Sequence, residues 1–209
     1  MRFRISSTMI AAALPFVVLV GAGAGLAHAL GASGASAPAF HAQLGKSVPG
    51  FTLPSAIDGK QVQAEAPDSR ATVIMFISTN CPVSNAYNGR IERLAQTYGP
   101  KGVRFVGINS NANESPDEIA SHAKDHGFTF VVLKDSDDAI ADDFNAQHTP
   151  EVWVLDSRGV ARYHGAIDDN RSEQGVKSHY LADALDAVLA GKTPARAQTI
   201  AFGCGIHRR

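Results

Sequence analysis

Residues 71–78 read Ala-Thr-Val-Ile-Met-Phe-Ile-Ser, an uncharged, apolar run rich in β-branched side chains. A run of that length and composition predicts a strand buried on both faces, which requires a sheet with cover on either side. Just beyond it Pro82 opens a helical pattern, in which Val83, Tyr87, Ile91, Leu94 and Tyr98 fall on one face. Gly99-Pro100 stops that helix. The chain then alternates. A strand is predicted over 103–108. The capping box Ser115-Pro116-Asp117-Glu118 starts a helix that runs to Gly127. A strand over 130–133 and a short helix over 137–144 follow. Segments 151–155 and 160–163 flank a turn and form a hairpin, and a last helix covers 177–190. An earlier hairpin joins 51–53 to 61–63 through Asp58-Gly59. Strands alternating with helices imply parallel crossovers, and the closing hairpin adds antiparallel strands. The fold class is therefore α/β with a central mixed sheet flanked by helices and an N-terminal hairpin extension.

The first 29 residues stand apart. Arg2 and Arg4 precede an uncharged stretch over 10–26, and Ala27-His28-Ala29 forms a small-x-small site. This is the three-part pattern of a secretory signal peptide. The run also approaches the length of a membrane span, so an uncleaved anchor is the alternative, with Pro15 and three glycines against it. Either way the remainder is expected outside the cytoplasm, periplasmic or secreted, where disulfides persist. Removing the leader takes two arginines and no acid, so 19 basic and 20 acidic residues become 17 and 20. That balance gives no footprint for nucleic acid. The low-complexity stretch from Gly31 to Ala39 predicts a flexible linker over 30–44. The globular domain is expected over 45–191 and a C-terminal tail over 192–209.

There are only two cysteines, too few for a disulfide-dense scaffold. Cys81 lies where the buried strand ends and the helix starts. Unpaired N–H groups and the positive end of the helix dipole favour a thiolate there, and so a nucleophile. Cys204 lies 14 residues beyond Ala190. At about 3.3 Å per residue such a segment spans up to roughly 45 Å, enough to reach Cys81. Cys204 can then resolve an oxidised Cys81, staple the tail permanently, or bridge to another chain.

The run Ser78-Thr79-Asn80-Cys81-Pro82-Val83-Ser84 resembles the active-site segment of thioredoxin-like proteins, and Thr149-Pro150 resembles their cis-proline loop. Together with Gly107-Ile108-Asn109-Ser110-Asn111, 163–169 (YHGAIDD) and 202–206 (FGCGI), these segments are similar to the redoxin branch, the alkyl hydroperoxide reductase and thiol-specific antioxidant type. The likeness is nearest to a peroxiredoxin-like exported single-domain group and covers about residues 45–205. It implies an oxidoreductase in which Cys81 attacks a peroxide or a disulfide, Thr149 and Pro150 face the sulfur, and a separate thiol reductant resets the protein. No cofactor is implied.

Three departures matter. Ser84 replaces the second cysteine of the thioredoxin pair, so this motif alone cannot close a disulfide; its hydroxyl or N–H can instead stabilise the thiolate. Peroxiredoxins carry proline and threonine where this chain has Ile74 and Ser78, so Ser78 is the candidate for holding a peroxide and Ile74 argues against fast peroxide reduction. An activating arginine has no clear position, and Arg158 and Arg162 read as surface residues.

His148 precedes the cis-proline loop and is a candidate for stabilising the thiolate, or for ligating copper or zinc together with Cys81. Three functions are therefore carried forward: a thiol oxidoreductase, a metal-delivery module using Cys81 and His148, and a non-catalytic binding domain. The acid-rich run 135–138 reads as a helix start, and Asp168-Asp169-Asn170 has no role derivable from sequence.

Overall fold

In a computed structural model, residues 40–209 are described, apart from Pro67. The expected leader over 1–29 and linker residues 30–39 lie outside the described residues. Linker residues 40–44 lie within them. There Phe40, Ala42 and Leu44 pack against core side chains, and the Ala42 N–H donates to the Asp143 carbonyl.

The central sheet follows from the apolar run. Strand β3 (Ala71–Phe76) is buried along its whole length. Period-two alternation turns Val73 and Met75 into one core layer and Ile74 and Phe76 into the other. Strand β4 (Val103–Asn109) pairs with β3 in parallel, and β5 (Val131–Lys134) pairs with β4 in parallel. On the other side β7 (Glu151–Asp156) and β8 (Ala161–Gly165) add antiparallel strands, giving the order β5-β4-β3-β7-β8. The parallel half comes from the helical crossovers and the antiparallel half from the closing hairpin, as the element order predicts. Ile74 pairs with both Val106 and Trp153. A proline at this central position would remove a ladder hydrogen bond.

Helix α1 (Pro82–Tyr98) has the predicted bounds. Its Tyr87, Ile91 and Tyr98 are buried in one core layer with Leu181, Leu185 and Val188 of helix α4 (Tyr180–Leu189). Burying a side chain such as Ile91 contributes about 1.5–3 kcal/mol relative to exposure. Helix α2 (Pro116–Asp125) starts on the predicted capping box, with both reciprocal bonds present. The second layer holds Phe76, Ile108, Phe144 and Trp153, covered by helix α3 (Ala139–Asp143) and by the hairpin β1 (Thr52–Pro54)–β2 (Gln61–Gln63). Asp135, from the acid-rich run, accepts from the Ile140 and Ala141 N–H groups at the start of α3.

The tail differs from a loose terminus. Strand β9 (Cys204–Gly205) pairs antiparallel with β6 (His148–Thr149), the two residues that precede Pro150. Further backbone bonds tie Ala197 and Thr199 to His164, and Ile206 to Gln147. The tail is thus laid across the end of the sheet where β3 gives way to α1.

Candidate active site

Cys81 is the N-cap of α1, at the junction the apolar run and Pro82 define. Its sulfur accepts from the Ser84 N–H at 3.3 Å and lies 3.3 Å from the Thr149 carbonyl oxygen. The residue is 3% exposed. Ser84 therefore meets the sulfur through its backbone. Its hydroxyl, fully buried, accepts from the Ser78 N–H at 3.1 Å and holds the loop. The Thr149–Pro150 peptide is cis, and Thr149 is buried beside the sulfur.

Cys204 is bonded to Cys81, with Cα atoms 5.9 Å apart across 123 residues of sequence. Pairing of β9 with β6 presents Cys204 opposite Thr149. Gly203 sits so close to the Thr149 carbonyl that a Cβ there would collide with it, so the strand carrying Cys204 requires glycine at that position.

Ser78 is bound on all sides. Its Oγ donates to Glu114 Oε1 at 2.5 Å and accepts from the Cys81 and Asn80 N–H groups at 3.0 and 3.2 Å. Glu114 is 2% exposed and escaped the sequence reading, because an isolated acid in a polar loop has no diagnostic spacing. It also accepts from the Thr79 N–H and hydroxyl and from Asn109 Nδ2. Burial pushes its carboxyl up, but the bonds from Ser78, Thr79 and Asn109 outweigh that and hold it below the usual carboxylate range. Beside it Lys134 is buried, its ammonium donating to the Asn111 carbonyl at 2.6 Å, and burial pushes its pKa down.

The sign of the Glu114 shift sets a pH dependence. A carboxylate with a depressed folded pKa contributes stability that is present above its unfolded pKa and lost as pH falls through the folded one. Glu114→Gln is expected to cost about 1.5–3 kcal/mol at neutral pH, the range for hydrogen bonds to charged groups. The gap to wild type should close on acidification below about pH 4. Urea midpoints for the two proteins across the acid range measure this, and a pH-independent gap would remove Glu114 as the cause.

The structure does not bring His148 onto the sulfur. Its N–H donates to Glu151 Oε2 at 3.0 Å, and its imidazole, 43% exposed, sits 3.9 Å from the same carboxylate. Glu151 is buried and also takes His164 Nε2 at 2.7 Å; burial raises its pKa, but the bonds from His164, Gln147 and His148 bring it below its ordinary value. Arg158 and Arg162 both pair with Asp156 away from the sulfur, Arg158 on the surface as expected and Arg162 half-buried. Among the described residues no group of three or more His, Cys, Asp or Glu side chains is placed to hold a metal ion. Asp168 gains a role: it pairs with Arg90 at 2.6 Å and accepts from the Tyr87 hydroxyl at 2.8 Å, all three buried where α1 meets the segment after β8.

The AhpC/TSA family model matches residues 44–164. A thiol:disulfide interchange protein DsbE from Haemophilus influenzae is 30% identical over 131 residues, which are 62% of this chain and 69% of that protein. An uncharacterized conserved protein from Geobacillus kaustophilus superposes with a TM-score of 0.74 at 36% identity, covering 80% of this chain and 93% of that one. A putative thioredoxin from Neisseria meningitidis, at a TM-score of 0.57 and 22% identity over 69% of this chain and 92% of that one, shares the fold. With a cysteine at the helix start, a cis-proline opposite it and these relatives, the chain is a thiol oxidoreductase on a thioredoxin-like fold and belongs to the AhpC/TSA family.

Proposed function

We propose that the protein exchanges disulfides with protein or small-molecule substrates outside the cytoplasm, using Cys81 as nucleophile and Cys204 as resolving thiol. The observation that carries this reading is the Cys81–Cys204 pairing at the N-terminus of α1, beside the cis Thr149–Pro150 peptide. The Ser84 N–H and the helix terminus favour the Cys81 thiolate, and the Thr149 carbonyl, which accepts S–H from the neutral thiol, opposes it.

The thiolate attacks one sulfur of the substrate disulfide. A Cys81–substrate bond forms and the other substrate sulfur leaves as a thiolate. The Cys204 thiolate then attacks the Cys81 sulfur, the second substrate sulfur leaves, and the Cys81–Cys204 disulfide carries the two electrons' worth of oxidation. An external dithiol reductant returns the protein to its dithiol form and is itself oxidised. The similarity to a thiol:disulfide interchange protein supports exchange chemistry of this kind, and the leader pattern supports a periplasmic or secreted site.

Disulfides are favoured over peroxides by the state of Ser78. Its single proton is given to Glu114, and its oxygen already accepts two N–H groups. No donor remains there to hold a peroxide, the part that the family resemblance assigned to this hydroxyl.

Cys204→Ser separates the two half-reactions. Mixed with a disulfide-containing peptide, reduced wild type is expected to release both peptide thiols and finish with its own disulfide. The variant should stop with the peptide bonded to Cys81, detected as one peptide mass per chain under non-reducing conditions. Equal turnover by variant and wild type, with no trapped adduct, would remove Cys204 from the cycle.

A further inference from the structure

We propose that the tail is docked by its own contacts rather than by the Cys81–Cys204 bond, and that Asn111 is the positioning residue that fixes Cys204 opposite Cys81. The tail then remains seated in the dithiol state, keeping the resolving thiol at hand and covering Cys81 until it lifts. This rests on the reading of Cys204 as the resolving thiol.

The contacts flank Cys204 on both sides. Upstream, His164 exchanges backbone bonds with Ala197 and Thr199, each at 3.0 Å. The Thr199 hydroxyl lies 2.7 Å from the Tyr163 hydroxyl and accepts from the Ala166 N–H at 2.9 Å. Gly165 leaves no room for a Cβ against Thr199, so backbone meets backbone there. Phe202 packs edge-on against Tyr87 at 6.3 Å. Downstream, Ile206 packs into the second core layer and its N–H donates to the Gln147 carbonyl at 3.0 Å. None of these contacts involves sulfur.

Asn111 grips the tail three residues past Cys204. Its Oδ1 accepts from the His207 N–H at 2.9 Å, while the next residue, Ala112, donates its N–H to the His207 carbonyl at 2.7 Å. Asn111 is 3% exposed, and the Lys134 ammonium bonds its own carbonyl. Lys134 also reaches Asn109, which donates to Glu114, which in turn holds the Cys81 loop through Ser78. One buried polar network therefore ties the nucleophile's loop to the segment carrying the resolving thiol. The side-chain Nδ2 of Asn111 has no partner. The Oδ1 acceptor is the working atom, which aspartate would preserve.

A docked tail makes two opposite demands on one variant. Asn111→Ala should lower the equilibrium of Cys81–Cys204 disulfide formation against glutathione by about tenfold, the loss of one net hydrogen bond. In a Cys204→Ser background, the same substitution should speed alkylation of Cys81 by a bulky maleimide several-fold, because covering and presentation are one contact set. Asn111→Asp should restore both values. Unchanged values in Asn111→Ala would overturn the role of Asn111. General destabilisation would move both values the same way, so the urea midpoint of each reduced variant is measured beside them, and a fall in midpoint large enough to account for the faster alkylation would overturn the role of Asn111. Wild type supplies a readout without substitution. In fully reduced protein the Ile206 and His207 amides should stay protected from hydrogen exchange, and loss of protection on reduction would overturn tail docking. If instead no Cys81–Cys204 disulfide forms in solution while the amides remain protected, the resolving role fails and the docking stands.

Discussion

Cys81→Ser is expected to lower disulfide exchange by on the order of a thousandfold or more, because the thiolate is the attacking species and a serine hydroxyl does not ionise near neutral pH. The substitution is close to isosteric, and serine is a good N-cap, so α1 should keep its start. Stability of the reduced protein should therefore change little while exchange disappears. Stopped-flow release of thiol from a chromogenic disulfide gives the rate, and circular dichroism confirms the fold. Exchange by the variant within tenfold of wild type would mean that the chemistry lies elsewhere. The test separates the enzyme from a binding domain with a permanent bridge, since a binding domain would show no exchange in either protein.

The largest stability effect is expected away from the sulfur. Arg90 and Asp168 form an ion pair whose side chains are 9% and 4% exposed. The arginine also donates to the carbonyls of Asn170 and Arg171, and its guanidinium lies over the Tyr87 ring, 3.8 Å from the centroid. Burial pushes the Tyr87 hydroxyl far above its ordinary pKa, aided by the bond to Asp168, so it remains a neutral donor. Asp168→Ala leaves a charged guanidinium buried without its counter-ion, at a cost of about 3–5 kcal/mol. For a domain of this size the melting temperature should fall by on the order of 10 °C. The double variant Arg90→Met with Asp168→Leu should cost clearly less than the two single losses added together, because it removes both charges at once. Simple additivity in urea denaturation would show that the pair is not coupled.

The parts of this molecule legible in sequence are those set by local pattern. The β3–α1 junction could be read because an apolar run, a cysteine and a proline each constrain the backbone within a few residues of one another. The capping box at Ser115 and the stop at Gly99-Pro100 are similarly local. Glu114 was not legible as part of the site, and Asp168 and Asn111, though they lie in segments that carry the family resemblance, had no legible role. Each acts through partners distant in sequence, such as Ser78, Arg90 and His207, and no spacing rule marks a polar residue whose burial depends on tertiary packing. The tail illustrates the same limit: contour length shows that Cys204 can reach Cys81, but the path along β6 depends on Gly203, Thr199 and Asn111 finding their seats. His148 was the converse case. Its neighbour in sequence faces the sulfur, yet its own ring turns to Glu151.

The Cys81–Cys204 bond also changes how the molecule carries mechanical load. Tension between a segment before Cys81 and one after Cys204 passes through the sulfur bond and bypasses everything between, including α1, α4 and four of the five central strands. Among the described residues before Cys81, the packed segment 40–50, the β1–β2 hairpin and β3 stand in the line of force, and β3 would be drawn from between two neighbours that are themselves held in a closed ring. Reduction opens that ring and hands the load to the whole fold, so the redox state of one bond sets which part of the chain yields first.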